Sequence, residues 1–88
     1  MLEVKEILAE RENSYGDYKT NALLSQALKY VMRDSKNWKN LTSDKCESLE
    51  MLCVKLARIL NGDPNHLDSW QDCVGYLQLV IDNLDSSV

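Results

Sequence analysis

The apolar spacing of residues 49 to 60 is the feature that most restricts the fold of this chain. Apolar side chains recur there at intervals of three and four residues, at Leu49, Leu52, Cys53, Leu56, Ile59 and Leu60. This spacing places them on one face of an α-helix. Thr42 or Ser43 can cap the helix, and Asn61-Gly62 is a typical stop signal. The pattern predicts a helix over residues 43–61 with one buried face.

A second helical pattern follows directly. Asp63 before Pro64 is typical of the first turn of a helix, which predicts a helix over residues 64–84. Its apolar positions again alternate by three and four residues, at Leu67, Trp70, Val74, Leu77, Ile81 and Leu84. Such spacing is typical of a helix packed at a shallow angle in a bundle. We therefore expect this stripe to face the protein interior.

The first part of the chain predicts two more helices. Residues 2–13 have an apolar face formed by Met1, Val4, Ile7 and Leu8, and Gly16 ends that pattern in a turn over residues 15–18. Thr20 or Asn21 can cap a second helix over residues 20–34. Its expected inward stripe is Leu24, Ala27, Leu28 and Val31. The sequence thus predicts an all-α fold, a single four-helix, bundle-like domain over residues 1–88.

Length and composition restrict the class of protein further. Eighty-eight residues is near the lower limit for a self-sufficient core, which favours help from a second chain. No apolar run approaches the ~20 residues needed to cross a bilayer, and the acidic amino terminus is unlike a secretory signal. We expect a cytoplasmic protein that does not bind membranes. Cys46, Cys53 and Cys73 lack CxxC spacing, which favours reduced thiols over disulfides or a zinc site with His66.

Two pairs of acids are candidate metal ligands. Glu47 and Glu50 are three residues apart on the predicted third helix, and Asp68 and Asp72 are four apart on the fourth. If these helices are antiparallel, Glu50 and Asp72 lie at similar levels, whereas Glu47 and Asp68 meet less easily. Mg²⁺ prefers such oxygen ligands and would activate water for hydrolysis. The alternative is that the acids are exposed charges, favourable in first helical turns.

Six residues are candidates for binding a substrate. Lys55 and Arg58 lie on the polar side of the third helix, where they can contact a phosphate or pair with nearby acids. Arg11 continues an apolar stripe, so its guanidinium either enters a pocket or reaches solvent over the core edge. The tyrosines that can stack on a base, or simply complete the core with a wet hydroxyl, are Tyr15, Tyr18 and Tyr76.

Positive charge is concentrated in one segment. Residues 29–45 hold five Lys or Arg and two Asp, a net charge of +3, whereas the rest of the chain totals −7. This segment is a candidate surface for an acidic protein partner or a phosphate, through Lys29, Arg33, Lys36 and Lys39. It is too weakly basic for a duplex-binding domain, so we expect no nucleic-acid partner. The alternative is an ordinary solvated face.

Several motifs together resemble a known family. They are Glu10-Arg11, Tyr15-Gly16-Asp17-Tyr18, Leu49-Glu50-Met51, Lys55, the run from Ala57 to Pro64, Asp68, Trp70, Asp72 and Gly75-Tyr76. In these positions the chain resembles a small-protein family of phages and prophages that is classed as a domain of unknown function. The resemblance covers nearly the whole chain. It implies a phage or prophage origin and the cytosol of a bacterial host.

The spacing of the acidic residues on the third and fourth helices resembles, more remotely, that of a second family. MazG-like all-helical nucleoside triphosphate pyrophosphohydrolases bind Mg²⁺ through an ExxE pair on one helix and an ExxD pair on the next. Glu47 and Glu50 match the first pair and Asp72 matches the last acid, but Ser69 stands where the other acid belongs and Asp68 is displaced by one position. This resemblance implies a nucleotide substrate, a Mg²⁺ ion and a homodimer or higher homo-oligomer.

Two functional hypotheses follow. The first is a Mg²⁺-dependent nucleotide-binding protein of MazG-like ancestry, with pyrophosphohydrolysis as the reaction that the resemblance implies. The second is a non-catalytic accessory module that binds a host or phage protein through a helical face or the basic segment. The incomplete second acid pair favours the second hypothesis, and the two acidic helix edges favour the first.

Overall fold

A computed structural model describes residues 3–85 of the chain. Over that range the fold is all-α, with four α-helices and no strand, which confirms the predicted bundle-like architecture. The helices are α1 (Val4–Tyr15), α2 (Tyr18–Arg33), α3 (Ser43–Asn61) and α4 (Leu67–Asp85), and a short 3-10 helix (Trp38–Asn40) lies between α2 and α3. No helix in the described range is long and apolar enough to cross a membrane.

The boundaries of α3 match the prediction, whereas those of α1, α2 and α4 shift by a few residues. The helix α2 begins at Tyr18 because Asp17, not Thr20 or Asn21, is its cap, and the Asp17 carboxylate accepts a hydrogen bond of 2.9 Å from the Thr20 backbone N–H. This hydrogen bond lowers the pKa of Asp17. The turn between α1 and α2 is correspondingly short, and α1 continues to Tyr15.

The start of α4 lies three residues later than predicted, because Asp63 closes a turn instead of capping the helix. Its carboxylate accepts from the Asn65 backbone N–H at 2.9 Å, and its carbonyl accepts from the His66 N–H at 3.2 Å. The Trp70 indole N–H donates to the Pro64 carbonyl at 2.8 Å and ties this turn to α4. The predicted residue 2 of the first helix, and Met1 of its stripe, lie outside the described residues.

The helix α3 is the centre of the fold. It packs against α2 on one side and α4 on the other, and α1 also contacts it. Three of the buried residues on α3 are apolar, namely Cys53, Ala57 and Ile59. The described part of the chain has few other buried residues, and these are Ser25, Ser48 and Ser69. Most large apolar side chains are therefore only partly covered, and the molecule is elongated, with extents of 49 × 26 × 22 Å.

The predicted inward stripe of α4 is wrong. Its six residues are 42% to 65% exposed, whereas Ser69 is 2% exposed and Cys73, Tyr76 and Val80 are half-buried. The face of α4 that meets α3 therefore runs through Ser69, whose small side chain permits close packing. The heptad-like spacing identified a different face, turned by about 100° around the helix axis. It correctly groups the residues on one face but does not reveal which neighbour covers them.

The stripes of α1 and α2 also differ from the prediction. On α2, Leu24 and Leu28 are half-buried as expected, but Ala27 and Val31 are exposed and Ser25 is the buried residue. On α1, no described residue is buried. Because α1 contacts the neighbouring helices only sparsely, its apolar side chains stay largely open to solvent.

A close contact between two turns holds α1 and α2 against α3. Gly16 has φ of +82°, and an added Cβ would lie 2.6 Å from the Asn61 carbonyl oxygen. Gly62 lies directly against the backbone of Ser14 and Tyr15, and the adjacent Asp63 N–H donates to the Ser14 carbonyl at 2.9 Å. Only glycine permits both the positive φ and the backbone approach. This contact positions α1 beside the cleft described next.

Candidate functional site

A cleft of about 510 Å³ lies between α1, α2 and α3. We call it the α1–α2 cleft. Its walls include Arg11, Tyr15 and Tyr18 from the ends of α1 and α2, and Arg58 from α3. The sequence prediction placed Arg11, Tyr15 and Arg58 together as substrate-binding candidates, and the fold brings all three to one cavity. A concave site with apolar walls and a few polar groups is the usual form of a small-molecule site.

The cleft carries an excess of positive charge. Arg11, Lys29 and Arg58 line it, against one acid, Glu12. Among the described residues none of these three cations has an ion-pair partner, although Lys29 and Arg58 are half-buried. The stems of half-buried lysines and arginines cover apolar surface while their charged heads reach water, so these heads stay free to contact a ligand. The cleft is therefore electrostatically suited to an anion.

Tyr15 organises the inner end of the cleft. The Arg58 guanidinium carbon lies 4.5 Å from the centre of the Tyr15 ring, a cation–π contact. The His66 ring meets Tyr15 edge-on, with centroids 5.1 Å apart and an interplanar angle of 84°. Tyr15 is thus held between α3 and the turn before α4. Tyr18, by contrast, is 86% exposed, so its ring faces are open to stacking.

Hydrogen bonds stiffen the turn that forms one wall of the cleft. The Asn21 side-chain amide donates to the Tyr15 carbonyl at 2.7 Å. The Asn61 amide donates to the Asp17 carbonyl at 3.2 Å and to the Asn21 side-chain oxygen at 3.3 Å. These two asparagines, neither of which the sequence identified as a site residue, connect α3 to the first turn of α2.

Ser25 adds a polar group to the floor of the cleft. It is 6% exposed, lines the cavity, and its hydroxyl has no hydrogen-bond partner among the described residues. Leaving a buried hydroxyl unpaired costs about 1–3 kcal/mol, so a ligand or water that pairs with it is favoured. The sequence signal for Ser25 is its spacing from Tyr18, Ala22 and Lys29, which places four cleft residues on one face of α2.

The four predicted metal ligands lie away from this cleft, and two of them form ion pairs with cations. Glu50 forms an ion pair with Arg33, and Asp72 forms one with Lys55 at 2.9 Å. Their companions, the other two predicted ligands, are exposed. No group of three or more His, Cys, Asp or Glu residues that could hold a metal ion occurs within residues 3–85. In this arrangement the acids do not assemble into a Mg²⁺ site, and Mg²⁺ binding by Glu47, Glu50, Asp68 and Asp72 stays a prediction.

Two of the predicted substrate-binding residues lie elsewhere in the fold. The Lys55 side chain is only 12% exposed and faces Asp72 across the contact between α3 and α4. Tyr76 is half-buried on the face of α4 that meets α3. Neither residue lines the α1–α2 cleft. Their positions fit the simpler alternatives, ordinary ion pairing for Lys55 and core packing for Tyr76.

The predicted partner-binding cations separate into three environments. Lys29 lines the cleft, and Arg33 donates from its Nε to Glu50 at 2.8 Å. Lys36 and Lys39 are exposed in the connection between α2 and α3. The pairing of Arg33 and the inward position of Lys29 therefore argue against a single continuous basic surface formed by all four residues.

Comparison with known proteins identifies a family but no function. A family model described as a domain of unknown function (DUF6378) matches residues 1–83. A search of curated proteins and a search of solved structures each found no match. The family match includes both glycine turns and all of the cleft residues. The chain belongs to the DUF6378 family.

Proposed function

We propose that this protein binds a small phosphate-bearing ligand, most simply a nucleotide, in the α1–α2 cleft. The observation that carries the proposal is the presence of Arg11, Lys29 and Arg58 around one cavity without carboxylate partners among the described residues. Phosphate supplies the missing negative charge. Its oxygens also match the planar donor geometry of the two guanidinium groups.

The other cleft residues are suited to the rest of such a ligand. Tyr18 presents an open aromatic ring on which a base can stack, an interaction that is largely independent of base identity. The Ser25 hydroxyl, buried and without a partner among residues 3–85, can donate to a phosphate or sugar oxygen. Arg58 already packs on Tyr15, so its guanidinium is pre-positioned. Pre-positioning reduces the entropy lost on binding.

We propose ligand binding as the function and treat hydrolysis as a separate hypothesis. The resemblance to MazG-like pyrophosphohydrolases supports the nucleotide class and a role for Mg²⁺, and the resemblance to phage proteins supports action in a bacterial cytosol. Hydrolysis would require acids that hold Mg²⁺, yet Glu50 and Asp72 are each paired with a cation. Catalysis would therefore require these two ion pairs to open. Binding in the cleft requires no such rearrangement.

Thermal unfolding with a panel of ligands tests the proposal. Inorganic phosphate, nucleoside mono-, di- and triphosphates, and unphosphorylated nucleosides are each added with and without Mg²⁺. A ligand selective for the folded state raises the unfolding temperature, and at a fixed ligand concentration the rise grows with the logarithm of its affinity. We expect a shift with at least one phosphorylated ligand and a smaller one with the matching nucleoside.

Matched variants locate the site. Lys29→Gln and Arg58→Gln each remove one cation from the cleft and should weaken binding by roughly tenfold or more, the typical value of one charge-assisted hydrogen bond. Lys39→Gln makes the same charge change at an exposed position outside the cleft and should bind like the wild type. Equal weakening in all three variants, or no shift with any phosphorylated ligand, would refute binding in this cleft.

Hydrolysis and Mg²⁺ binding are tested separately. If the wild type releases pyrophosphate from a nucleoside triphosphate, Glu50→Gln and Asp72→Asn should abolish release while leaving binding in the cleft intact. Unchanged release in both variants would remove the acid pairs from the mechanism.

The second candidate function is a protein-binding module. One observation favours it: Lys36 and Lys39 are exposed and have no ion-pair partner in the described range. Reversing both charges with Lys36→Glu and Lys39→Glu should abolish binding to an acidic host or phage protein. Retained binding would exclude this surface.

A further inference from the structure

The helix α4 presents a continuous apolar face to solvent. We call it the α4 seam, and it consists of Leu67, Trp70, Val74, Leu77, Ile81 and Leu84. The most exposed of these, Val74, is 65% open, and the least, Leu77, is 42% open. Successive members are three and four residues apart over the whole length of the helix. This is the a and d spacing of helices that pack side by side along their length.

The seam is separate from the contact that α4 makes within the chain. Successive residues of a helix are rotated by about 100°, so the centre of the seam lies about 100° around α4 from the buried face through Ser69. A helix at the corner of a four-helix bundle contacts two neighbours at such an angle. One neighbour of α4 is α3, and within residues 3–85 no second helix packs extensively against α4.

The exposed area of the seam is sufficient for a stable dimer. From the exposed fractions of its six residues, the seam offers roughly 650 Å² per copy, or about 1,300 Å² if two copies cover each other completely, which is at the lower end of the range of specific interfaces. Single exposed apolar residues are common on protein surfaces, but a contiguous patch of this size marks an interaction site.

The charges of α4 favour a second copy as the partner. The flanks of the seam carry Gln71 and Gln78 on one side and Cys73 and Val80 on the other, all uncharged. The helical rotation places Asp68 and Asp72 on the far side of α4 from the seam. Asp82 lies at the rim, about 110° from the seam centre, where the Gln78 side-chain amide donates to it at 2.7 Å. Within residues 67–84, two copies of this acidic chain can therefore meet along the centre of the seam without a carboxylate in the contact, and like charges approach only at its rim.

We propose that the α4 seam packs against the same seam of a second copy of this chain, so that α3 and α4 of both copies form a four-helix bundle. The dimer supplies the second neighbour that each α4 lacks. It also buries large apolar side chains that the sparse core of one chain leaves exposed. The α1–α2 cleft takes no part in the contact.

Mass measurement by light scattering after gel filtration tests the proposal. The wild type should have the mass of two chains, and its unfolding temperature should rise with protein concentration. Val74→Glu and Ile81→Glu place a charge in the seam and should raise the dissociation constant at least about thirtyfold, the value expected at the centre of an interface. The matched control is Leu79→Glu, which adds the same charge on the opposite side of α4, where Leu79 is 57% exposed.

Circular dichroism shows whether each variant keeps its helices. If a glutamate variant loses helix content, Val74→Ala provides the same test without a charge, and it should raise the dissociation constant several-fold. A wild type with the mass of one chain at high concentration would overturn the proposal, even if another protein covers the seam. So would dissociation of Leu79→Glu to the same extent as Val74→Glu.

Discussion

Replacing Gly62 with alanine should destabilise the protein strongly, whereas a glycine-to-alanine change in a helix interior usually stabilises it. An added Cβ at Gly62 would lie 2.5 Å from Tyr15 Cα and 2.6 Å from the Ser14 carbonyl oxygen, and closer still to the Tyr15 carbonyl carbon. These neighbours are backbone atoms, which cannot rotate away as a side chain can. The α1–α2 turn must therefore move away from α3 by about 1 Å.

The magnitude follows from two contributions. Overpacking of a tight contact costs about 1–3 kcal/mol, and weakening the Asp63 N–H to Ser14 carbonyl hydrogen bond adds about 1 kcal/mol. We expect the free energy of unfolding to fall by about 2–4 kcal/mol. Domains of this size have total stabilities of roughly 5–10 kcal/mol, so the loss is a large fraction.

Gly75→Ala is the matched control. The same methyl group at Gly75, in the middle of α4, would meet nothing within 4 Å. Alanine is favoured over glycine in a helix interior, so this variant should be stabilised by about 0.5–1 kcal/mol. Urea denaturation at one fixed protein concentration, followed by circular dichroism, measures both changes. A Gly62→Ala variant within 0.5 kcal/mol of the wild type, on the scale of ordinary surface changes, would refute the close-contact argument.

Three further predictions concern charges and thiols. Because the pKa of Asp17 is lowered in the folded state, its contribution to stability should be complete above about pH 4 and be lost as the pH falls through the lowered pKa; Asp17→Asn should remove this acid-dependent part. Asp72→Asn removes the counter-charge of Lys55, whose side chain is only 12% exposed, and should cost about 1–2 kcal/mol. Lys55→Met leaves only the half-exposed Asp72 carboxylate and should cost less than about 1 kcal/mol. Burial raises the pKa of the Cys53 thiol, so alkylation of Cys53 in the folded protein should be at least about tenfold slower than in urea.

Each of these predictions has its own contrary result. An unchanged acid unfolding profile in Asp17→Asn would show that another carboxylate dominates acid unfolding. A larger loss for Lys55→Met than for Asp72→Asn, both measured by urea denaturation, would show that the ammonium stays hydrated. Equal alkylation rates for Cys53 in the folded and unfolded protein, followed by mass spectrometry of peptides, would contradict its burial.

The sequence predicted the helices better than the faces they bury. Residues 43–61 were placed correctly because a continuous apolar stripe and an Asn-Gly stop agree, and Thr42 does precede the helix, although its side chain makes no capping hydrogen bond. The inward face of α4 could not be predicted, because the strongest apolar stripe is the exposed seam and the buried face contains Ser69. Periodicity groups side chains on one face, but only the packing of the chain decides which face meets α3.

Only part of the candidate site could be predicted, because the rest depends on how the helices pack against one another. Arg11, Tyr15 and Arg58 were proposed as substrate-binding residues, and the fold gathers them in the α1–α2 cleft. Lys55 was proposed with them, but an acid one helix away pairs with it, and this depends on the relative rotation of α3 and α4. The hydroxyl of Ser25 carries no sequence motif. Its place in the cleft depends on how α1 and α2 pack together, which the sequence does not show.

The absence of buried residues on α1 has a consequence for ligand affinity. The helix α1 supplies Arg11 and Tyr15 to the cleft but is held mainly by the glycine contact at its carboxyl end. An element with so little buried surface opens locally at low free energy, independently of global unfolding. A ligand bridging Arg11 and Arg58 must first hold α1 closed, so its measured affinity includes the closing equilibrium of this helix. Binding would then slow amide hydrogen exchange in α1 far more than in α3, and the cleft would act as a clamp with one hinged wall.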